Sequence, residues 1–170
     1  WMDKYEELSG KGLKVIAFVY KTTNESETDS LKEEEDFVKD MTFLGFVSFI
    51  DPARADVKPS IEKCQTAGIK IIMVTGDHPG TAENVARKVG LSADEKYHVM
   101  KGSDVEENKD QVIKSNIFAR VDPEQKYNIV EDFKQEGEIT AMTGDGVNDA
   151  RALKKADIGI AMGQRGTQVA

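Results

Sequence analysis

The chain has 170 residues, a formal net charge of −8 and 32% charged residues. This length suits one ordinary domain, or one domain with an appendage, and is long enough to bury a core. The acidic balance argues against a nucleic-acid partner, which would require a basic surface, and the longest apolar run, residues 43–50, is too short to span a membrane.

Runs rich in apolar and β-branched residues predict strands, which in chain order cover residues 13–20, 42–50, 69–74, 99–100, 117–120, 139–142 and 158–162. The first of these is predicted to be a buried strand. The polar and acidic residues 21–36 predict a surface loop and not a binding tail, because a solvated charge run is the usual state of such a segment.

Helical patterns follow the second strand and alternate with the later ones, at residues 57–67, 79–89, 105–114, 123–136 and 148–155. Gly90 is the expected end of the second helix, and Asp122, Pro123 and Gln125 predict an N-cap, a first-turn proline and a capping box for the fourth. Alternating β and α units predict an α/β, Rossmann-like parallel sheet with helices on both faces. The segment before it is expected to form a small β appendage.

The most informative segment is Thr-Gly-Asp-Gly-Val-Asn-Asp-Ala at residues 143–150. It places the carboxylates of Asp145 and Asp149, with the amide of Asn148, in a Gly-rich turn after a predicted strand. The carboxyl ends of parallel strands are where α/β sheets bind ligands, and such oxygen groups suit Mg²⁺. An acidic turn that only caps a helix is the simpler alternative, but capping needs fewer polar groups than this string supplies.

Two other predicted strands also end in polar groups. Thr75, Gly76 and Asp77 follow the strand at residues 69–74, and Lys126 follows the strand at residues 117–120. A hydroxyl with adjacent N–H groups, an ammonium and paired carboxylates at one sheet edge would form a phosphoryl-binding site. Taken singly, Thr75-Gly76-Asp77 could be a common turn and Lys126 a solvated lysine. Because the motifs occur in order at three successive strand ends, a shared site is favoured.

The chain termini and the single cysteine indicate the expected origin and cellular environment of the chain. The chain begins at Trp1 and ends at Ala170, and we interpret it as a piece of a larger protein. Cys64 is the single cysteine and is interpreted as a packing residue. With no signal peptide in view, a reducing cytosolic environment is expected.

The three motifs in this order resemble those of the haloacid-dehalogenase-like phosphotransferases, and their exact residues resemble those of the P-type cation-transporting ATPases more closely still. The resemblance covers about residues 43–170, and its most specific stretches are residues 143–150 and 152–163. His78 and Pro79, directly after Thr-Gly-Asp, resemble the pumps for calcium, sodium/potassium and related light cations more than the heavy-metal branch.

This resemblance implies roles for the residues that match the motifs. Thr75 and Gly76 would contact the transferred phosphoryl group and Lys126 would screen its charge. Asp145 would ligate Mg²⁺, and the site would be completed by Asn148 and by Asp149, the second metal ligand.

The resemblance also implies a nucleotide side and a domain division. Asp77 would lie near the nucleotide, and Arg54, in a hinge motif where Ala53 replaces a proline, would contact its phosphates. Lys14 would lie near the ATP phosphates, with an exposed strand charge as the alternative. Residues 1–50 would be the C-terminal portion of a nucleotide-binding domain, and residues 51–170 the phosphorylation domain.

In such a pump an aspartate of the motif D-K-T-G-T attacks ATP, and the aspartyl-phosphate drives cation transport. That motif is absent from the 170 residues, so the isolated chain is expected to be inactive. The implied partners are ATP, Mg²⁺, the transported cation and the transmembrane, actuator and nucleotide-binding domains. The chain itself would be a soluble segment on the cytoplasmic side. A soluble Mg²⁺-dependent phosphatase of the same superfamily and a non-catalytic Mg²⁺ and phosphate-binding module are the alternatives.

Overall fold

The computed structural model describes residues 1–23, 38–50, 52–144 and 147–162. Its helices are α1 (Met2–Gly10), α2 (Val57–Thr66), α3 (Pro79–Val89), α4 (Lys109–Val112), α5 (Pro123–Gln135) and α6 (Ala150–Lys155). Its strands are β1 (Lys14–Tyr20), β2 (Thr42–Phe49), β3 (Met73–Val74), β4 (Val99–Lys101), β5 (Ile117–Ala119), β6 (Ala141–Gly144) and β7 (Ile158–Ala161). Residues 24–36 of the expected acidic loop lie outside the described residues.

The parallel sheet has helices on both faces, as the sequence predicts. Strand β5 lies between β3 and β4, and β6 pairs with β7 in a second parallel pair. Because side chains alternate along a strand, Ile117 and Ala119 pack with side chains of α2 and α3, whereas Phe118 packs with those of α4 and α5. The three residues are fully buried. The predicted α/β fold is therefore confirmed.

The β1–β2 hairpin is antiparallel, with partners running from Lys14 opposite Phe49 to Tyr20 opposite Thr42. The prediction that residues 13–20 form a buried strand is wrong, since most β1 side chains are exposed. A two-stranded sheet buries a face only where a second layer packs on it. Here Trp1 packs at one end of the hairpin, tilted against the ring of Phe43 and edge-on to that of Phe46.

Helix α1 is a feature that the sequence patterns did not predict. It packs against the start of α3, where the Thr81 hydroxyl donates to the carbonyl oxygen of Ser9 at 3.4 Å. A Cβ atom at Gly80 would lie 3.2 Å from the Cα atom of Gly10, so the two backbones approach closely. A helix this short depends on such packing and not on its own propensity. The domain division at residue 50 stays a prediction.

The helix-end signals of α3 and α5 are confirmed. His78 caps α3, with its Nδ1 accepting the N–H of Gly80, and Gly90 ends it in the left-handed region at φ 69°. Asp122 and Gln125 form the reciprocal capping box of α5.

The helix expected at residues 105–114 is reduced to α4 after a 3₁₀ turn, Gly102–Asp104. The side-chain amide of Asn108 donates to the backbone carbonyl oxygen of Asp104. Local side-chain hydrogen bonds of this kind compete with continuation of the helix.

Two predicted strands differ from their expected bounds. The apolar run at residues 69–74 forms a ladder only at Met73–Val74, whereas the strand predicted at residues 139–142 keeps its length but is shifted to Ala141–Gly144. Each of these strands pairs on one side only within the described ranges. Among the described residues, no helix has the length and apolar character needed to cross a bilayer.

Candidate functional site

The loops after β3 and β5 are joined by backbone hydrogen bonds at the carboxyl edge of the sheet. The N–H of Val121 donates to the carbonyl oxygen of Thr75 at 3.0 Å, and the N–H of Arg120 donates to that of Asp77 at 2.9 Å. The N–H of Thr75 in turn donates to the carbonyl oxygen of Phe118. These bonds fix the Thr75 loop against the segment that leads into α5.

Helix α5 connects this edge to the loop after β6 through an ion pair. The ammonium of Lys126 lies 2.7 Å from Oδ1 of Asp149, with side chains only 17% and 11% exposed. Lys126 lies in the first turns of α5, and Asp149 closes the 3₁₀ turn Val147–Asp149 that precedes α6. Since both charges are largely withdrawn from water, the contact positions both side chains.

Gly144 lets Asp149 approach the end of β6. A Cβ atom at position 144 would lie 2.5 Å from the Cβ of Asp149, closer than van der Waals contact permits. A glycine is therefore required where the strand passes the carboxylate. Asn148, the other predicted member of this loop, is exposed, and Asp145 lies outside the described residues.

In the Thr75 loop, the side-chain oxygen of Thr75 accepts the N–H of Asp77 at 3.1 Å. The hydroxyl hydrogen therefore points away from that bond and can be donated to another group. Gly76 is exposed at the tip of the loop. The carboxylate of Asp77 lies 3.9 Å from the ammonium of Lys14, a loose and solvent-exposed pair.

A cleft of about 390 Å³ opens beside this loop, between it and α1 with the start of β1. Lys14, Gly76 and Asp77 line it, together with two side chains that sequence patterns did not single out, Tyr5 and Arg120. The guanidinium of Arg120 donates to the Tyr5 hydroxyl at 2.7 Å. Arg120 has a φ of 54°, which is unfavourable for a residue with a Cβ atom. The conformation that directs its side chain into the cleft therefore costs conformational energy in the backbone.

Arg54 lies apart from these residues. It lines a different cavity, of about 240 Å³, with residues of the segment after β2 and of α3. Its Nε lies 3.4 Å from the carboxylate of Asp56, and both side chains are exposed. Asp51, which begins the predicted hinge motif, lies outside the described residues.

The described side chains contain no group of three or more His, Cys, Asp or Glu residues that could hold a metal ion. The Asp149 carboxylate, held at the strand end, fits the small protein ligand set that Mg²⁺ takes when phosphate oxygens supply other positions. The donor chemistry of Asp149 therefore fits Mg²⁺.

A sheet of this kind, with polar loops at its carboxyl edge, belongs to a known class. The family model described as haloacid dehalogenase-like hydrolase matches residues 3–157, so the chain belongs to that family.

Within known proteins the similarity is to cation pumps. The chain is 43% identical to calcium-transporting ATPase 1 of Saccharomyces cerevisiae and 42% identical to a calcium-transporting ATPase of Bacillus subtilis, over 96% of this chain in each case. It is 39% identical, over 99% of its length, to the sodium/potassium-transporting ATPase subunit alpha of Tetronarce californica. The chain spans 18%, 18% and 20% of these three proteins. The resemblance to P-type ATPases is thereby confirmed.

Proposed function

We propose that this chain is the part of a P-type cation-transporting ATPase that binds and stabilises the phosphoryl group during its transfer from ATP. The observation that supports this most directly is the largely buried pair of Lys126 and Asp149 at 2.7 Å, at the sheet edge that also carries Thr75. Structural ion pairs are commonly exposed on protein surfaces. This one is largely buried and joins α5 to the loop after β6, which supports a role in chemistry.

The proposed reaction is attack by an aspartate carboxylate oxygen on the γ-phosphorus of ATP. The bond from that phosphorus to the bridging oxygen breaks, and ADP leaves with the electron pair. Water then hydrolyses the aspartyl-phosphate to regenerate the carboxylate and release phosphate. The attacking aspartate would come from a part of the polypeptide outside these 170 residues, so the chain alone should not turn over ATP.

Residues at the carboxyl edge of the sheet each have a proposed role in this reaction. The hydroxyl of Thr75, whose oxygen already accepts the N–H of Asp77, would donate to a phosphoryl oxygen, as would the N–H of Gly76. Lys126 would offset the repulsion between the carboxylate and the phosphoryl group. Asp149 is proposed as both the partner of Lys126 and a Mg²⁺ ligand.

Mg²⁺, when bound, would neutralise phosphate charge. Asp145 and Asp149 are the proposed ligands, and Asn148 would complete the polar surface around them. The Asp149 carboxylate also holds the Lys126 ammonium at 2.7 Å, which would keep the lysine beside the phosphoryl group.

The nucleotide would lie on the side of the cleft that Lys14 and Asp77 line. Lys14 supplies a positive charge there, and Arg120 supplies planar donors suited to phosphate or ribose oxygens. Arg54 would contact nucleotide phosphates only after the hinge moves, since it lines a separate cavity in this structure.

The test is phosphoenzyme labelling with γ-³²P-ATP in the longer polypeptide that contains these residues. Lys126→Ala and Asp145→Ala should reduce acid-stable labelling about a hundredfold or more. Lys134→Ala is the matched control, because Lys134 lies on the same helix and pairs with Asp157 at 2.8 Å, away from the strand-end loops. Undiminished labelling in Lys126→Ala, or an equal loss in Lys134→Ala, would refute the assigned roles.

A further inference from the structure

A crevice of about 450 Å³ lies at the amino edge of the sheet, opposite the edge that carries the candidate site. It is lined by residues of the segments that lead into β3, β4 and β5, including Ile71, His98 and Asn116. Because these three strands are parallel, the segments before them lie at one edge of the sheet. The loops after them, one of which carries Thr75, lie at the other. The crevice is therefore separate from the proposed phosphoryl site.

Each of the three strands is preceded by a lysine at the same position. Lys70, Lys96 and Lys114 lie three residues before the first residues of β3, β4 and β5, and all three line the crevice. The strand register pairs the first residues of β3 and β4 with the first residue of β5, so the three lysines occupy equivalent places along adjacent segments. In a chain with a net charge of −8, this concentration of positive charge is a local feature.

The protein compensates these three ammonium groups only in part. Nζ of Lys70 donates to the carbonyl oxygen of Ile113 at 2.6 Å. Nζ of Lys96 lies 3.5 Å from Asp94, the only carboxylate among the described residues that line the crevice. Within the described ranges, the side chain of Lys114 makes no hydrogen bond or ion pair. Like charges held near one another repel, and a bound anion would offset that repulsion.

Side-chain hydrogen bonds fix the walls of the crevice. Gln65, near the end of α2, donates from Nε2 to two carbonyl oxygens of the segment that follows α3. Asn116 accepts the N–H of His98 with its Oδ1 and donates from Nδ2 to the carbonyl oxygen of Lys96. The segment before β4 is thus tied to the segment before β5. A site whose walls are already ordered loses little conformational entropy when it binds a small ligand.

Apolar side chains form another part of the lining. Ile69, Ile71 and Leu91 border the crevice, and Leu91 is buried. The volume of about 450 Å³ suits an organic ligand and exceeds what a single phosphate group fills. Lysine binds phosphate as a point charge, and apolar walls contact the hydrocarbon part of a ligand. The crevice therefore offers the two kinds of contact that a phosphate ester requires.

We propose that this crevice binds a small, free phosphate monoester with an aromatic or aliphatic body. The phosphate would lie among the three ammonium groups, with Lys114 in the middle because β5 lies between β3 and β4. The body of the ligand would lie against Ile71 and Leu91. An acidic polypeptide fits less well, since a concave site with fixed walls suits a compact ligand better than an extended chain. The proposal does not depend on the proposed function at the opposite edge.

The experiment titrates the full chain with phenyl phosphate, without nucleotide or Mg²⁺, and follows backbone amide signals by ¹H–¹⁵N NMR. We expect saturable shifts of the His98 and Asn116 signals. The Gly76 signal reports the proposed phosphoryl site, so failure at one edge is distinguished from failure at the other. Phenol, which lacks the phosphate, and inorganic phosphate, which lacks the ring, should each bind the crevice about tenfold or more weakly than phenyl phosphate.

Three variants test the role of the charges. Lys114→Met should weaken binding of phenyl phosphate about fivefold or more, because it removes the central ammonium. Asp94→Asn should strengthen binding about twofold or more, because it removes a negative charge from the lining and releases Lys96. Lys154→Met, at an exposed position on α6 outside the lining, should leave binding unchanged. Circular dichroism checks that each variant is folded.

The proposal would be overturned if the signals of the amino edge do not saturate, or if phenol binds as well as phenyl phosphate. Equal weakening by Lys114→Met and Lys154→Met, or no strengthening by Asp94→Asn, would overturn it too. Binding of hexaglutamate but not of phenyl phosphate would assign the crevice to an acidic polypeptide. Binding only to phosphatidylcholine vesicles that contain phosphatidic acid would assign the lysines to a lipid surface. Either of these two results would also overturn the proposal.

Discussion

The ammonium of Lys126 and the carboxylate of Asp149 lie 2.7 Å apart, with side chains 17% and 11% exposed. They come from different βα units, one on α5 and one at the start of α6. Their contact therefore joins two of the three strand ends that carry the predicted site. A close, largely desolvated pair has consequences for stability that can be separated from its proposed role in chemistry.

Lys126→Met should lower the free energy of unfolding by about 3 kcal/mol, because it leaves a buried carboxylate without its cation. Urea denaturation of the full chain measures this. Lys134→Met, on the same helix, should cost less than about 1 kcal/mol, since its pair with Asp157 is more exposed.

Adding Asp149→Leu to Lys126→Met should recover most of the lost stability, because no uncompensated charge remains. Equal losses in the two lysine variants, or no recovery in the double variant, would show that the pair is not held as described.

Gly144→Ala should destabilise the chain by about 1–3 kcal/mol, the range for overpacking, and should displace Asp149. The physical reason is the 2.5 Å separation between the added methyl and the Cβ of Asp149. Gly45→Ala is the control, since a Cβ atom there would have no neighbour within 4 Å. Thermal unfolding compares the two, and similar melting temperatures would contradict the close approach.

Asp157 should give the chain a specific acid sensitivity. The Lys134 ammonium, assisted by the N–H of Thr140, lowers the pKa of Asp157 from 3.8 to about 2. Because the folded-state pKa is the lower one, this stabilisation is complete above about pH 4 and is lost as the pH falls towards 2.

The measurement is urea unfolding of the wild-type chain and of Asp157→Asn across this range. The stability difference between them should be constant near neutrality and shrink between about pH 4 and pH 2. A difference that stays the same at low pH would rule out the low pKa.

Tyr5→Phe should loosen α1 without unfolding the sheet. It removes the acceptor of the 2.7 Å bond from Arg120, an exposed bond worth about 1 kcal/mol or less. The ring, which packs edge-on against His78, is retained. Hydrogen exchange in α1 should rise in this variant but not in Tyr20→Phe on the exposed hairpin. Unchanged exchange in α1 would show that the bond does not hold the helix.

Much of this architecture was predictable because local signals and the global fold agree. Alternating apolar runs and polar helices predicted the α/β sheet, and the capping residues Asp122 and Gly90 predicted helix ends that the structure confirms. The grouping of strand-end loops followed from the topology of parallel strands alone. That geometry brings Lys126 to Asp149, two residues that the sequence motifs predicted to lie in one site.

Other features depend on tertiary contacts that no local pattern encodes. The positive φ of Arg120 and its bond to Tyr5 join residues far apart in the chain. The exposed hairpin and the shortened β3 carry the apolar composition of buried strands. Their state depends on which other segments cover them, and composition alone does not reveal whether a covering partner is present.

Three strand-end loops are proposed to bind one Mg²⁺-associated phosphoryl group. Hydrogen–deuterium exchange of the full chain, with Mg²⁺ and orthovanadate as the phosphoryl mimic, tests it most directly. We expect simultaneous protection of peptides containing Thr75, Lys126 and Asp145, which depends on both additives and is lost in Lys126→Ala. Protection confined to one loop, or retained in Lys126→Ala, would contradict a shared site.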